Sequence, residues 1–221
     1  MKIKSLPGGE IPAVSGQMFR ILFSLFIILP AYPAYSTDTV TELIRLQKSI
    51  RTMKAEFIQE KHSELLKMPM VSRGTFYFSS PERVVWDYDE GMRIVSDGTK
   101  LILYYKELAE ADIMDIANLP FVPEGFSIDR LRERYRIEVL QATEGRYHLK
   151  LTPITQSKLP LEIIITLDER AIPLEIKLTE RTGDYTVIRF AKAQLNIGLP
   201  EELFSMKLPP DVKIRRHYYN P

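Results

Sequence analysis

The sequence predicts a mainly β, α+β fold: a single curved sheet or open barrel of about eleven short antiparallel strands, with an N-terminal helix and a helical insert. Apolar and polar residues alternate with period two through Met53 to Tyr105 and again from Tyr135 onward, as strands with one buried face require. Turn residues punctuate these runs: Ser80-Pro81-Glu82, Asp97-Gly98, Glu144-Gly145, Asp168-Glu169 and Thr182-Gly183-Asp184. Proline, glycine and Asp-Gly steps at that spacing belong to hairpins. Between the two β regions the apolar period lengthens to that of a helix.

Residues 1–36 read as a cleaved secretory signal. Lys2, Lys4 and Arg20 precede an apolar run of nine residues, Ile21 to Leu29, interrupted only by Ser24. That run is too short to span a bilayer, and Ala34-Tyr35-Ser36 supplies a small-x-small cleavage site. A start at Met18 leaves the same mature chain, residues 37–221, which is expected to form one domain without internal repeats.

Thr39 to Ile50 reads as an amphipathic helix. Val40, Leu43, Ile44, Gln47 and Ile50 recur at helical spacing with one polar interruption, and Thr39 with Glu42 forms a capping box. Strands are expected at roughly 52–62, 71–79, 83–89, 92–97 and 100–105. In the third, Val84, Trp86 and Tyr88 share one face, and Val85, Asp87 and Asp89 the other. From Glu107 to Asn118 the alternation gives way to Leu108, Ala111, Ile116 and Leu119, spaced as on a helix. Two prolines and a glycine between Leu119 and Gly125 end that segment. A second short helix is expected from Ser127, with Phe126 and Leu131 placed as a hydrophobic staple. Strands resume at 135–141, 147–152, 161–167, 174–180, 185–195 and near 212–217.

Composition excludes several functions. Loss of Lys2, Lys4, Arg20 and Glu10 with the signal takes the formal charge from +1 to −1, which gives nucleic acid no electrostatic footprint. There is no cysteine, so neither disulfides nor a lipidated cysteine are available and the secreted chain is expected to diffuse freely. No P-loop, G-x-S-x-G elbow or H-E-x-x-H helix occurs. His62, His148 and His217 fall on separate expected strands, and Asp87 to Gly91 lacks the closing glutamate of a calcium loop. Nothing in these residues argues for an enzyme, a metal or another cofactor; a site assembled from distant residues, as in an esterase, is the open enzymatic alternative.

The order of particular residues adds to this. Ala55, Phe57 and Gln59, then Gly74 and Phe78, then Pro81, Trp86 and the turn Val95-Ser96-Asp97-Gly98 resemble the outer-membrane lipoprotein carrier family, LolA. Leu151-Thr152-Pro153 and the closing pattern from Phe204 to Val212 extend the resemblance over most of the mature chain. It implies an incomplete antiparallel β-barrel lidded by helices, monomeric and periplasmic. Such a protein receives lipoproteins from an inner-membrane ABC transporter and passes them to an outer-membrane receptor. Members often carry a basic residue before the proline after the second strand, where it bonds the lid. Here that position is Ser80, and Arg83 is assigned lid control in its place.

A carrier of this kind answers a physical need. An acyl chain of about sixteen carbons in water costs roughly 12 kcal/mol, so a lipid-modified protein crosses an aqueous gap only if its chains are shielded. The expected acyl-chain site draws Phe57, Phe76, Phe78, Trp86, Ile94, Leu101 and Leu103 from the strands. The insert supplies Met114, Ile116, Leu119, Phe121 and Phe126 as lid residues, methionine being adaptable to irregular chains. Sequence parity does not say which sheet face is concave. A carrier of another lipid, such as a glycolipid or lipid precursor, and a lipid-sensing regulator of the same fold are the alternatives.

Overall fold

The alternating segments become twelve strands of one sheet in a computed structural model that describes residues 37–116, 127–143, 145–155 and 160–217. The expected signal segment lies outside the described residues. A helix α1 (Thr37–Lys48) precedes a meander of β1 (Thr52–His62), β2 (Met70–Ser79), β3 (Arg83–Tyr88), β4 (Met92–Ser96), β5 (Lys100–Tyr105) and β6 (Glu110–Asp115). A short helix α2 (Ile128–Arg134) leads to β7 (Tyr135–Thr143), β8 (Arg146–Pro153), β9 (Glu162–Asp168), β10 (Pro173–Thr179), β11 (Tyr185–Leu195) and β12 (Lys213–His217). The strand order is β12-β6-β5-β4-β3-β2-β1-β11-β10-β9-β8-β7, so β1 and β11 join the two halves and β12 and β7 are the free edges. All pairings are antiparallel except β12 with β6. This is the expected incomplete barrel, with one strand more than the sequence suggests.

Two local expectations differ from the structure. Of the segment read as a helix over 107–118, the described part is instead a 3-10 turn at Lys106–Leu108 followed by strand β6, and residues 117–118 lie outside the described residues. Glu, Ala and Met favour a helix intrinsically, but β6 is paired along both sides, with β5 and β12, and Ala109 turns the chain with φ of 47°. Pairing overrides so weak a preference. Helix α1 also starts at Thr37, so Thr39 lies inside its first turn, and Glu42 bonds Arg45 at 2.7 and 2.5 Å instead of closing a capping box. Ser127 does precede α2, without a side-chain capping bond. The expected staple partner Phe126 lies outside the described residues.

Register sets the two faces. Ala55, Phe76, Trp86, Ile94 and Leu103 form one row across β1 to β5. Met53, Phe78, Val84, Ser96, Leu101 and Met114 form the next. This inner face packs with Leu43 and Ile44 of α1, Ile50 just beyond it and Ile128 of α2 in the main core. On the outer face Val85 and Val95 pack with Phe204, Leu199, Leu203 and Met206, from the segment that runs between β11 and β12. Val84 and Val85 are both fully buried because each face has its own cover.

Candidate functional site

A cavity of about 250 Å³ lies between the inner face and the helices. Met53 of β1 with Phe76 and Phe78 of β2 forms one wall, because all three point to the inner side in the period-two pattern. Ile44 and Ile50, on the apolar stripe of α1 and just beyond its end, form the facing wall. The β9–β10 connection adds Ala171, and the start of β10 adds Pro173. Charged residues ring the mouth: Lys48 of α1, Glu82 of the β2–β3 turn, and Asp129 and Arg130 of α2.

Polar contacts hold the helices over this space. The Gln47 side chain donates from Nε2 to the Ala171 carbonyl at 3.3 Å and accepts the Ile128 N–H at its Oε1 at 3.0 Å. It therefore ties α1 to both the β9–β10 connection and the start of α2. Lys48 Nζ stands 2.8 Å from the Asp129 carboxylate. That hydrogen bond holds the Asp129 carboxyl below its usual pKa, against a smaller upward push from burial. Arg130 pairs with Glu82, tying α2 to the sheet. Only Ile128 of α2 is fully buried, so α2 is held as much by these polar contacts as by apolar packing.

Beside the cavity the inner face is filled with rings. Phe57 meets Trp86 and Tyr88 edge-on, at centroid distances of 4.9 and 5.0 Å. Phe76 tilts against Trp86 at 4.7 Å, and Phe190 of β11 closes on Phe76 at 5.7 Å. Edge-to-face pairs at these distances add about 0.5–1.5 kcal/mol each beyond area burial. The Tyr88 hydroxyl donates to Gln59 Oε1 at 3.0 Å, and burial pushes its pKa up to about 12.

The structure brings the expected strand residues together on one face but not into one space. Phe57, Phe76, Phe78, Trp86, Ile94, Leu101, Leu103 and Met114 all share the inner face by register. Of these, Phe76 and Phe78 line the cavity. Phe57 and Trp86 are buried in the aromatic cluster, and Leu101 packs with Ile116, Ile94, Leu103 and Met114 further along the sheet. Leu119, Phe121 and Phe126 lie outside the described residues. Met114 is a strand residue of β6 and not part of a helical insert.

Arg83, expected to control the lid, is bonded on the outer face to residues other than those of α1 and α2. It precedes inward-facing Val84, so the pleat turns it to the outer face. There it bonds Glu201, donates to Ser79 Oγ at 2.9 Å and lies 5.0 Å over the Phe204 ring. In the same β2–β3 turn the adjacent residue, Glu82, pairs with Arg130 of α2, with the acid on the turn and the base on the helix. Sequence reasoning missed Glu82, Gln47, Lys48, Asp129 and Arg130. Gln47 was the one polar interruption in an apolar helical stripe, and that was a usable signal. Nothing local marked the others.

Among the described residues there is no cluster of three or more His, Asp or Glu side chains able to hold a metal, and no helix long and apolar enough to cross a membrane. The family profile described as outer membrane lipoprotein carrier protein LolA matches residues 48–207. A protein of Alkalilimnicola ehrlichii named outer-membrane lipoprotein carrier protein is 25% identical over 199 residues, covering 86% of this chain and 91% of its own. One of the same name from Methylococcus capsulatus is 27% identical over 202 residues, covering 89% and 97%. In fold, the chain is similar to the crystal structure of an uncharacterized conserved protein from Thermus thermophilus. The TM-score is 0.51 at 12% identity, over 82% of this chain and 99% of that one.

Proposed function

The chain belongs to the LolA family of outer membrane lipoprotein carrier proteins, and from that membership we propose a non-catalytic periplasmic carrier. It shields the acyl chains of lipoproteins against the inner sheet face and moves them from the inner to the outer membrane. An inner-membrane ABC transporter loads it, and an outer-membrane receptor unloads it.

The observation that carries this proposal is the cavity walled by Met53, Phe76, Phe78, Ile44 and Ile50 with a charged rim. Its walls suit methylene chains, and its rim keeps a polar anchor near water. At about 250 Å³ it lies just below the roughly 300–1,000 Å³ usual for small-molecule sites. A cargo with several chains therefore requires it to widen.

Helix α2 is the element to yield. It has seven residues, and the contacts of Asp129 and Arg130 that hold it are partly exposed. Exposed pairs of that kind are weak, small beside the roughly 12 kcal/mol of a shielded acyl chain. Acyl chains compete with Ile128 and Leu131 for the same apolar surface, so loading and closure exclude each other. Release then needs no nucleotide at this protein.

Native mass spectrometry of the mature protein, purified from the periplasm without detergent, tests the proposal. A co-purifying triacylated lipoprotein is the expected result. A bound glycolipid or phospholipid instead would make the protein a carrier of another lipid. A protein that is empty and also takes up no lipoprotein from membranes would refute carriage.

A further inference from the structure

The β1–β2 hairpin ends in an apolar tip that neither the core nor the cavity uses. Leu65, Leu66, Met68, Met70 and Val71 are all exposed, Leu65 at 93% and Met68 at 78%. Strand directions place other apolar side chains at the same end of the sheet. These are Leu108 in the β5–β6 turn, 67% exposed, and Ile154 and Leu161 beside the facing ends of β8 and β9. Eight of the eleven large apolar side chains that are exposed among the described residues stand at this end. Single exposed apolar side chains scattered over a surface are ordinary, but this concentration at one end is not. The β2–β3 turn, which carries the cavity rim, is at the opposite end of its strands.

The hairpin is braced. His62 at the end of β1 stacks on Tyr185 of β11 at 4.3 Å, and Lys177 of β10 sits 4.7 Å over the same ring. Lys61, just before the brace, and Lys67, beyond it, are exposed, and Glu64 is the acid between them.

We propose that this hairpin tip docks on an anionic lipid surface, with Leu65, Met68 and Met70 entering the interface and Lys61 and Lys67 facing the headgroups. The apolar side chains stand on separate strand ends instead of lining one groove, so they suit a soft surface that moulds around each tip. The flanking lysines add attraction to anionic lipids, which strengthens interfacial binding by apolar groups. The two lysines outweigh Glu64 within the hairpin, whereas the neighbouring turns at this end carry exposed Asp89, Glu90 and Glu107, so attraction is confined to the hairpin itself.

A Met68→Trp variant reads the contact directly, because the native Trp86 is buried at 3% and stays shielded. Adding protein-free vesicles of phosphatidylethanolamine and phosphatidylglycerol is expected to shift the emission of the introduced indole to the blue. Leu65→Ser with Met70→Ser in that background is expected to weaken partitioning by about tenfold or more, with an unchanged thermal midpoint. Phosphatidylcholine vesicles are expected to bind more weakly. No emission shift, or equal partitioning with and without the serines, overturns the proposal. So does binding to protein-containing membranes but not to pure lipid, which would assign the tip to a protein partner. No lipoprotein enters this test, so its failure leaves the carrier proposal standing, and the reverse also holds.

Discussion

Gly74 stands between Phe57 and Tyr88 in a row across β1, β2 and β3. A Cβ built there would lie 2.1 Å from the Asp87 carbonyl oxygen and 2.9 Å from the Tyr88 Cα. These are backbone atoms, so no rotamer change relieves the clash. The missing side chain also lets the Phe57 and Tyr88 rings meet edge-on at 5.0 Å. Gly74→Ala is expected to cost about 2 kcal/mol or more, read as a lower urea midpoint at unchanged slope. The A-x-F-x-Q strand, the glycine and the tryptophan stood out in the sequence as a pattern. Their physical connection, an aromatic cluster that needs a bare backbone between two rings, is a matter of register. For Arg83 the pleat decides the side: as the neighbour of inward-facing Val84 it stands on the outer face, where it bonds Glu201.

At the scale of elements, the V-S-D-G turn shows how local chemistry makes a β4–β5 hairpin. Asp97 Oδ1 accepts the Thr99 N–H, the Thr99 hydroxyl and the Lys100 N–H, each at 2.8 Å, and Gly98 takes a φ of 93°. Partial burial pushes the Asp97 carboxyl up, but the hydrogen bonds from Lys100 and Thr99 together outweigh it and hold the pKa below its ordinary 3.8. A depressed folded-state pKa contributes stability above the unfolded value, which is lost as pH falls through the folded one. Asp97→Ala is therefore expected to be less stable than the parent by about 1 kcal/mol at neutral pH. Thermal melts should show that gap closing below about pH 4. Helix α2 is the other informative element. A double-mutant cycle of Glu82→Gln and Arg130→Gln is expected to give a coupling of about 0.5 kcal/mol. Either single variant should take up lipoprotein faster, as followed by transfer from membranes. Uptake unchanged in both would remove this pair from control of the lid.

On the scale of the whole molecule, one sheet serves two environments. Its inner face carries the aromatic core, the cavity and both helices, and its outer face is covered in part by residues 199–206. The chain then places β12 parallel to β6, where Arg215 bonds the buried Asp112 at 2.9 and 3.0 Å. This long return gives β6 (Glu110–Asp115) a second partner strand from roughly a hundred residues away, which favours a strand there over a helix. By itself the sequence determined the mainly β class, nearly every strand boundary, the turn chemistry and the pairing of Val84, Trp86 and Tyr88 on one face. These follow from period-two alternation and turn residues, which act over a few positions. Only the tertiary structure decided which face is inner, that Phe57 and Trp86 are core while Phe76 and Phe78 line the cavity, and that Glu82 meets Arg130. Those outcomes depend on which surface the helices cover, and helix, sheet and turn come together there from positions far apart in the chain, where no local period reaches.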